Sequence, residues 1–154
     1  MATIADLDGL TDLVERPPAG GELFLRWSQG PAVDLAENPG GSSRDTLTGI
    51  ALPGLSANPL TVERWWGARS RRLWAARRLY DYRHLHKPGV RPWVLLGEAC
   101  GRGPDNEPLV RCRRPLAWVS DTALAQAQTL VEEQPAAAWG PLDRAGSRPP
   151  RGAA

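Results

Sequence analysis

The sequence contains little cysteine and no long apolar run, and these absences exclude several classes of protein. Its two cysteines, Cys100 and Cys112, lack CxxC spacing and cannot supply a four-ligand zinc site alone. No stretch approaches the ~20 apolar residues of a membrane helix, and the first residues show no basic and apolar signal-peptide pattern. We therefore expect thiols rather than a disulfide, no membrane contact, no metal and a cytoplasmic protein.

Proline and glycine, in contrast, are abundant, with 15 and 16 residues among 154. They imply many turns and short elements, while 42% apolar residues are enough for a buried core. This length suits one domain. We predict a single domain over residues 1–134 and a mostly disordered tail over residues 135–154, with residues 139–142 as a last anchor.

Hydrophobic periodicity predicts the order helix, strand, loop, strand, helix pair, three strands and helix. The predicted helices cover residues 4–15, two parts of 61–84 separated near Gly67 and Ser70, and 121–133, capped by Asp121. The predicted strands cover residues 22–28, 47–52, 91–98, 109–112 and 116–119, and the loop 29–46 contains a helical turn at 33–37. This order is typical of an α+β fold with a small mixed, mainly antiparallel sheet flanked by helices.

Arg26 lies in a strand whose two faces are otherwise mostly apolar, so the strand is expected to be central and covered on both sides. A cation in such a position must be paired or used, because burying an unpaired charge is costly. Arg26 therefore either forms a structural pair with an acid such as Glu107 or Asp34, or holds a phosphate or carboxylate. The structural pair, with Glu107 above all, is the favoured interpretation.

Two polar segments are further candidates for a functional site. Residues 54–59 contain Ser56 and Asn58, which either cap a turn and helix or place the Ser56 hydroxyl on a ligand. Residues 101–110 form a polar loop that ends in the carboxylate of Glu107 at the start of a strand. This loop lacks the Gly-Lys-Ser/Thr ending of a P-loop, so it is either a catalytic loop or an ordinary hairpin turn.

Taken together, Arg26, Ser56 and Glu107 resemble the Arg–Ser–Glu order of ADP-ribosyltransferases. Residues 23–26 resemble the first strand of that family, and residues 105–110 resemble its acid–x–Glu segment followed by an apolar strand. The resemblance implies that the Arg holds NAD phosphate and the Ser orders the site. It also implies that the Glu binds a ribose hydroxyl and stabilises an oxocarbenium-like transition state.

The activity that this resemblance implies is ADP-ribosyl transfer or NAD hydrolysis, with Glu107, Arg26 and Ser56 as catalytic residues. NAD would be the substrate, and no other cofactor is implied. Ser28, Asn58 and Asn106, together with Arg26 and Ser56, would contact the NAD. We expect the three catalytic residues to converge at one cleft if this hypothesis is correct.

Over its whole length, the chain also resembles an uncharacterised family of small bacterial proteins, a domain of unknown function. The segments that carry this resemblance are Arg-Trp-Ser-x-Gly-Pro at 26–31, Pro-Gly-Leu-Ser-Ala-Asn-Pro-Leu at 53–60, Arg-Leu-Tyr-Asp-Tyr at 78–82, and Gly-Arg-Gly-Pro-Asp-Asn-Glu-Pro-Leu-Val at 101–110. This second resemblance implies no activity.

Two alternatives to an enzyme stay open. The Arg-rich segment 61–91 carries nine basic residues and two acids between Glu63 and Arg91, with Trp and Tyr between them. It either contacts nucleic acid or an acidic protein, or it is a solvated helix face, which we favour. The seven Trp residues also allow a protein-interaction module without chemistry. The oligomeric state is not predicted.

Overall fold

The computed structural model describes residues 1–37 and 54–135. The helices are α1 (Leu7–Glu15), α2 (Pro31–Glu37), α3 (Arg71–Asp81) and α4 (Asp121–Glu132), with 3₁₀ helices at Arg64–Trp66 and Arg83–Leu85. The strands are β1 (Ala2–Ile4), β2 (Glu22–Ser28), β3 (Leu55–Ser56), β4 (Asn58–Pro59), β5 (Arg91–Arg102) and β6 (Pro108–Val119). None of the helices in these ranges is long and apolar enough to cross a bilayer.

The six strands form one sheet in the order β1-β6-β5-β2-β4, and β3 pairs with β6 outside this path. Only β1 and β6 run parallel, while the other neighbours are antiparallel. Helices α1, α3 and α4 pack against one another and share a core with the sheet. The predicted α+β fold with a mixed, mainly antiparallel sheet flanked by helices is confirmed.

A short segment bridges β6 and β2, the two strands that flank β5 in the sheet. Leu55 in β3 pairs with Val110 in β6, and only four residues later Pro59 in β4 pairs with Phe24 in β2. The sheet therefore curls, and β3 and β4 close it on the side opposite β5. A separate apolar cluster fills the concave side, made of Phe24, Leu55, Ala57, Trp93, Leu95 and Val110.

Alternation along β2 explains why this strand is central. Leu23 and Leu25 point into the helical core, while Phe24 points into the concave cluster. Period-2 alternation places successive side chains on opposite faces, so a strand that is apolar on both faces is buried on both sides. Strand β2 lies between β5 and β4, as expected from its sequence.

The β5–β6 hairpin is longer than its sequence predicted. Residues 109–112 and 116–119 were expected to be two strands, but β6 is continuous over twelve residues. Pro115 is accommodated because the register shifts there: Val94 opposes Ala117, while Leu95 opposes Pro115. A bulge of this kind absorbs an extra residue and lets the strand bend without ending.

Helix boundaries also differ from the predictions. Residues 4–15 were expected to be one helix, but Ile4 ends strand β1, and Asp6 caps α1 by accepting a bond from the Gly9 nitrogen at 2.8 Å. The predicted cap of α3 at Ser70 is confirmed, with Leu73 as donor at 3.1 Å. The first helix predicted within residues 61–84 is present only as the short 3₁₀ helix Arg64–Trp66. The last helix is capped by Ser120, and Asp121 is its first residue.

Some predictions fall outside the described residues. They are the strand at 47–52, the second half of the loop at 29–46, the disordered tail at 135–154 beyond its first residue and the anchor at 139–142. The predicted helical turn at 33–37 belongs to α2, which begins earlier, at Pro31.

Candidate functional site

A polar cleft of about 640 Å³ lies between the β5–β6 hairpin tip, the β3–β4 segment and the C-terminal end of α3. Its volume is within the range of small-molecule sites. Its lining side chains are Ser56, Asn58, Pro59, Glu63, Arg78, Tyr82, His84, Leu85, Arg102, Asp105, Asn106, Glu107 and Pro108. Among them are two arginines and three acids.

Arg78 is the most unusual residue of this cleft. Only 7% of it is exposed, and within the described part of the chain its side chain forms neither an ion pair nor a hydrogen bond. Its Nε is fully buried without an acceptor. A buried charge that lacks a partner costs several kcal/mol, so native proteins rarely keep one without a use.

Aromatic rings hold the Arg78 guanidinium in place. The guanidinium carbon lies 5.4 Å from the ring centroid of Trp74 and 5.7 Å from that of Tyr82. Residues four apart on a helix are neighbours, so the spacing of Trp74, Arg78 and Tyr82 brings them together. Such cation–π contacts fix the side chain, but they supply no hydrogen-bond acceptor. Arg78 is therefore positioned but not neutralised.

Arg77, the preceding residue of α3, shows the contrasting case. It is also buried, but its Nε donates to Asp81 Oδ1 at 2.8 Å, one helical turn away. The expectation that the arginines of this helix fill a solvated face is wrong for both residues. The closely packed helices α1 and α4 cover the flanks of α3, so its polar positions are enclosed as well.

Two half-buried carboxylates line the same cleft, each held by a neutral donor. Glu63 Oε2 accepts a bond from Trp65 Nε1 at 2.8 Å. Glu107 Oε1 accepts from the Asp105 nitrogen at 3.1 Å, and its side chain folds over Gly103. Neither carboxylate is paired with a cation among the described residues.

The loop that carries Glu107 is a hairpin turn, one of its two predicted interpretations. The Gly103 nitrogen donates to the Glu107 carbonyl, and the Asn106 nitrogen donates to the Gly103 carbonyl, both at 2.9 Å. Asn106 has a φ of 62°, a left-handed conformation that Asn tolerates better than most residues. The turn holds Asn106 and Glu107 at the edge of the cleft.

Ser56 and Asn58, from the β3–β4 segment, also line the cleft. Ser56 opposes Leu109 of β6, and the Ala57 nitrogen donates to the Pro108 carbonyl at 3.2 Å. These contacts bring the Ser56 segment next to the residue that comes after Glu107. Ser56 and Glu107 therefore line one cleft, but the expected convergence of all three candidates is not observed, because Arg26 is absent from its lining.

Arg26 lies behind this cleft and is not among its lining residues. Its Nε donates to Asp34 Oδ2 at 2.6 Å, and its Nη1 donates to the Ser56 carbonyl at 2.7 Å. The acid partner of Arg26 is thus Asp34, one of the two acids considered, and not the favoured Glu107. Since the Arg26 and Asp34 side chains are only 15% and 11% exposed, the pair is largely enclosed.

Ser28 belongs to the Arg26 network and not to the cleft. Its hydroxyl donates to Asp34 Oδ2 at 2.6 Å and accepts bonds from Trp93 Nε1 at 2.8 Å and from the Gly30 nitrogen at 3.0 Å. Satisfied buried networks of this kind fix a unique packing. Arg26 and Ser28 therefore join β2, β5 and α2, and their observed contacts are structural.

The basic residues of the Arg-rich segment point in different directions. Arg72 pairs with Asp8 on α1, Arg69 lies 4.5 Å from the Trp66 ring centroid, and Arg83 stacks on Tyr80. Arg77 and Arg78 are buried. These five of the nine basic residues of this segment are thus buried or contact other side chains of the fold.

Exposed apolar anchors are equally sparse in the described ranges. The large hydrophobic residues exposed there are Met1 at 51% and Leu85 at 39%, and no Trp is among them. Trp65, Trp66 and Trp74 pack edge to face in the helical core. These three Trp residues therefore belong to the core, as expected from the sequence.

Sequence reasoning missed Arg78 and Glu63 as site residues. A signal for Arg78 was available, because it stands four residues after Trp74 and four before Tyr82, on the aromatic side of the helix. No comparable signal identified Glu63, since its place in the cleft depends on the hairpin tip, which is distant along the chain.

Comparisons with known proteins give one match. Neither the curated proteins nor the solved structures include a match to this chain. These comparisons lend no support to the ADP-ribosyltransferase resemblance, while the resemblance to an uncharacterised domain is confirmed. Residues 1–140 match the model of a family of unknown function, DUF6098, and the chain belongs to that family.

Proposed function

We propose that the cleft binds a small ligand with an anionic group, a phosphate or a carboxylate, and that Arg78 holds that group. One observation carries the proposal: Arg78 is only 7% exposed and lines the cleft, but no acid or carbonyl of the described residues satisfies it. A guanidinium pairs with a carboxylate or phosphate through two parallel hydrogen bonds. A bound anion would supply the partner that the protein does not.

The remaining lining residues support a small ligand over a macromolecule. The cleft is concave and about 640 Å³ in volume, which suits a ligand of sugar or nucleotide size. Ser56, Asn58 and Asn106 add polar side chains around its rim. The Tyr82 ring contributes an apolar surface next to the guanidinium.

Calorimetric titration with inorganic phosphate, with and without Arg78, tests this function. We expect saturable binding by the wild-type chain and a loss of about 10–100-fold in Arg78→Met, since a hydrogen bond to a charged group contributes ~1.5–3 kcal/mol. Arg72→Gln is the matched control, because Arg72 lies on the same helix and pairs with Asp8 outside this cleft. Equal affinity of Arg78→Met and the wild type would refute the proposal.

A more specific hypothesis keeps NAD as the substrate, with ADP-ribosyl transfer or NAD hydrolysis as the reaction. It is favoured by the position of Ser56 and Glu107 in one cleft. In this form of the hypothesis Arg78, not Arg26, holds the NAD phosphate, because both donating nitrogens described for Arg26 are used within the fold. Glu107 keeps its proposed catalytic role.

NAD consumption by wild type and Glu107→Gln tests this hypothesis. We expect turnover by the wild type and none by Glu107→Gln, with unchanged thermal unfolding. A wild-type chain that neither binds nor consumes NAD would end the enzymatic hypothesis. That result would leave the anion site intact, since its test uses phosphate alone.

A further inference from the structure

Opposite charges share the cleft without pairing. Arg78 is a buried cation without an acid, and Glu63 and Glu107 are half-buried carboxylates without a cation. Among the described residues, none of these three side chains forms an ion pair with another or with a different residue. None of them therefore lies within ion-pair distance of another, although opposite charges that are partly shielded from water attract each other more strongly than in bulk water.

Each of the two carboxylates is held by a hydrogen bond of its own. The Trp65 indole holds Glu63 on one side, and the Asp105 nitrogen holds Glu107 at the hairpin tip. Each bond uses one carboxylate oxygen and leaves the other, Oε1 of Glu63 and Oε2 of Glu107, without a donor in the described structure. The cleft therefore presents one cation and two oriented acceptors.

The overall charge of the lining restricts the charge that a ligand of this cleft can carry. The described lining residues include two guanidinium groups, of Arg78 and Arg102, and three carboxylates, of Glu63, Asp105 and Glu107. With His84 counted as neutral, this gives one net negative charge. Such a site repels a polyanion but accommodates a single anionic group that lies against Arg78.

We propose that the ligand carries one anionic group together with hydrogen-bond donors, hydroxyl or ammonium, and that Glu63 is the residue that selects for these donors. This inference rests on the proposed anion-binding function. Arg78 binds the anionic end, and the unpartnered Glu63 oxygen accepts from the donor end. Glu107 accepts a second donor from the hairpin side.

Four probes separate the contributions in a calorimetric titration. Inorganic phosphate offers the anion alone, ribose 5-phosphate adds hydroxyls, O-phosphoethanolamine adds an ammonium, and pyrophosphate adds negative charge. We expect the wild type to bind at least one donor-bearing probe about tenfold more tightly than phosphate, a difference of ~1.4 kcal/mol. Tighter binding of ribose 5-phosphate would identify the donor as a hydroxyl, and tighter binding of O-phosphoethanolamine would identify it as an ammonium.

Glu63→Gln should change the affinities of two probes in opposite directions. The amide keeps an oxygen for Trp65 but removes the charge, so the donor-bearing probe should fall to within about threefold of phosphate. Pyrophosphate should bind to Glu63→Gln more tightly than to the wild type, because the substitution removes a carboxylate that repels it. Glu98→Gln is the control, since Glu98 is a solvent-exposed residue of β5 outside the lining of this cleft. Glu107→Gln provides a second variant with the same expected pattern.

The outcomes distinguish this inference from the function on which it rests. If Glu63→Gln and Glu107→Gln tighten every probe alike, the carboxylates act only as charges and the inference is wrong. If the wild type binds phosphate and both donor-bearing probes equally, it is also wrong, although Arg78 keeps its role. A wild type that binds none of the four probes contradicts both. Thermal unfolding of each variant confirms that folded proteins are compared.

Discussion

Replacing Arg78 by Met should weaken anion binding about 10–100-fold without destabilising the fold, whereas replacing its neighbour Arg77 by Met should destabilise it strongly. The two arginines are adjacent on α3, and their exposed fractions are 7% and 9%. Arg77 donates to Asp81, whereas the contacts of the Arg78 guanidinium in the described part of the chain are with the rings of Trp74 and Tyr82. This neighbouring pair therefore separates a structural arginine from one that the ligand requires.

The expected magnitudes depend on what each substitution leaves behind. Arg77→Met leaves Asp81 buried at 5% exposure without its cation, and one oxygen of Asp81 already lacks a hydrogen bond. Loss of one partner from such a pair costs about 3–5 kcal/mol. Arg78→Met removes an unpaired buried charge, a gain of about 1–4 kcal/mol, but also two cation–π contacts of ~0.5–2 kcal/mol each. Both sums cover about the same range, so the expected net change is centred near zero and is smaller than the loss in Arg77→Met.

Thermal unfolding followed by Trp emission measures both variants under the same conditions. For a chain of this size, the Arg77→Met loss corresponds to a fall in Tm of roughly 6–20 °C, while Arg78→Met should change Tm by only a few degrees. If Arg78→Met is as destabilised as Arg77→Met, Arg78 has a structural partner and the argument for a ligand site fails.

The described contacts predict three further outcomes. Asp34→Asn should destabilise the fold by about 3–5 kcal/mol in urea unfolding, because it leaves Arg26 enclosed without an acid, and it should leave phosphate binding unchanged. A variant that unfolds like the wild type would contradict the structural role of this pair. Burial raises the pKa of Cys112, so its alkylation by iodoacetamide, followed by mass spectrometry, should stay slow until the pH exceeds the ordinary cysteine range. Rapid alkylation near pH 8 would show an exposed thiolate instead. The hydrogen bond from Arg113 lowers the pKa of Glu98, so any stability from this pair is lost as the pH falls through that lowered pKa. Because the pair is exposed, Glu98→Gln should not change Tm measurably at neutral pH; a clear fall would contradict this.

Features that depend on local pattern could be predicted from the sequence. The alternation of residues 22–28 places Leu23 and Phe24 in different cores, and Ser70 caps α3 as expected. These features depend on the side-chain period of a strand or on a hydroxyl next to unsatisfied helix nitrogens. They need no knowledge of distant residues.

Features that depend on distant pairing could not be predicted. The continuity of β6 through Pro115 requires the bulge against β5, and β3 and β4 form only because β6 and β2 supply their partners. Two-residue strands have no pattern of their own. The short N-terminal strand β1 was missed for the same reason, since its partner lies near the opposite end of the described chain.

The candidate site was only partly accessible from the sequence. Ser56, Asn58, Asn106 and Glu107 are predicted from polar turn segments, and the structure brings them to one cleft. The sequence places Arg78 on a solvated face, because its burial depends on how α3 packs and its missing partner depends on where the acids of the fold lie. Whether a buried charge has a partner depends on the positions of residues that are distant along the chain, so it cannot be predicted from a local pattern.

A crystal grown with tungstate, a phosphate analogue with a strong anomalous signal, gives the most direct test of the anion site. We expect an anomalous peak in contact with the Arg78 guanidinium, inside the cleft formed by the hairpin tip, the β3–β4 segment and α3. The same crystal of Arg78→Met should lack this peak. Tungstate bound only at exposed arginines such as Arg111, with an empty cleft, would contradict the account.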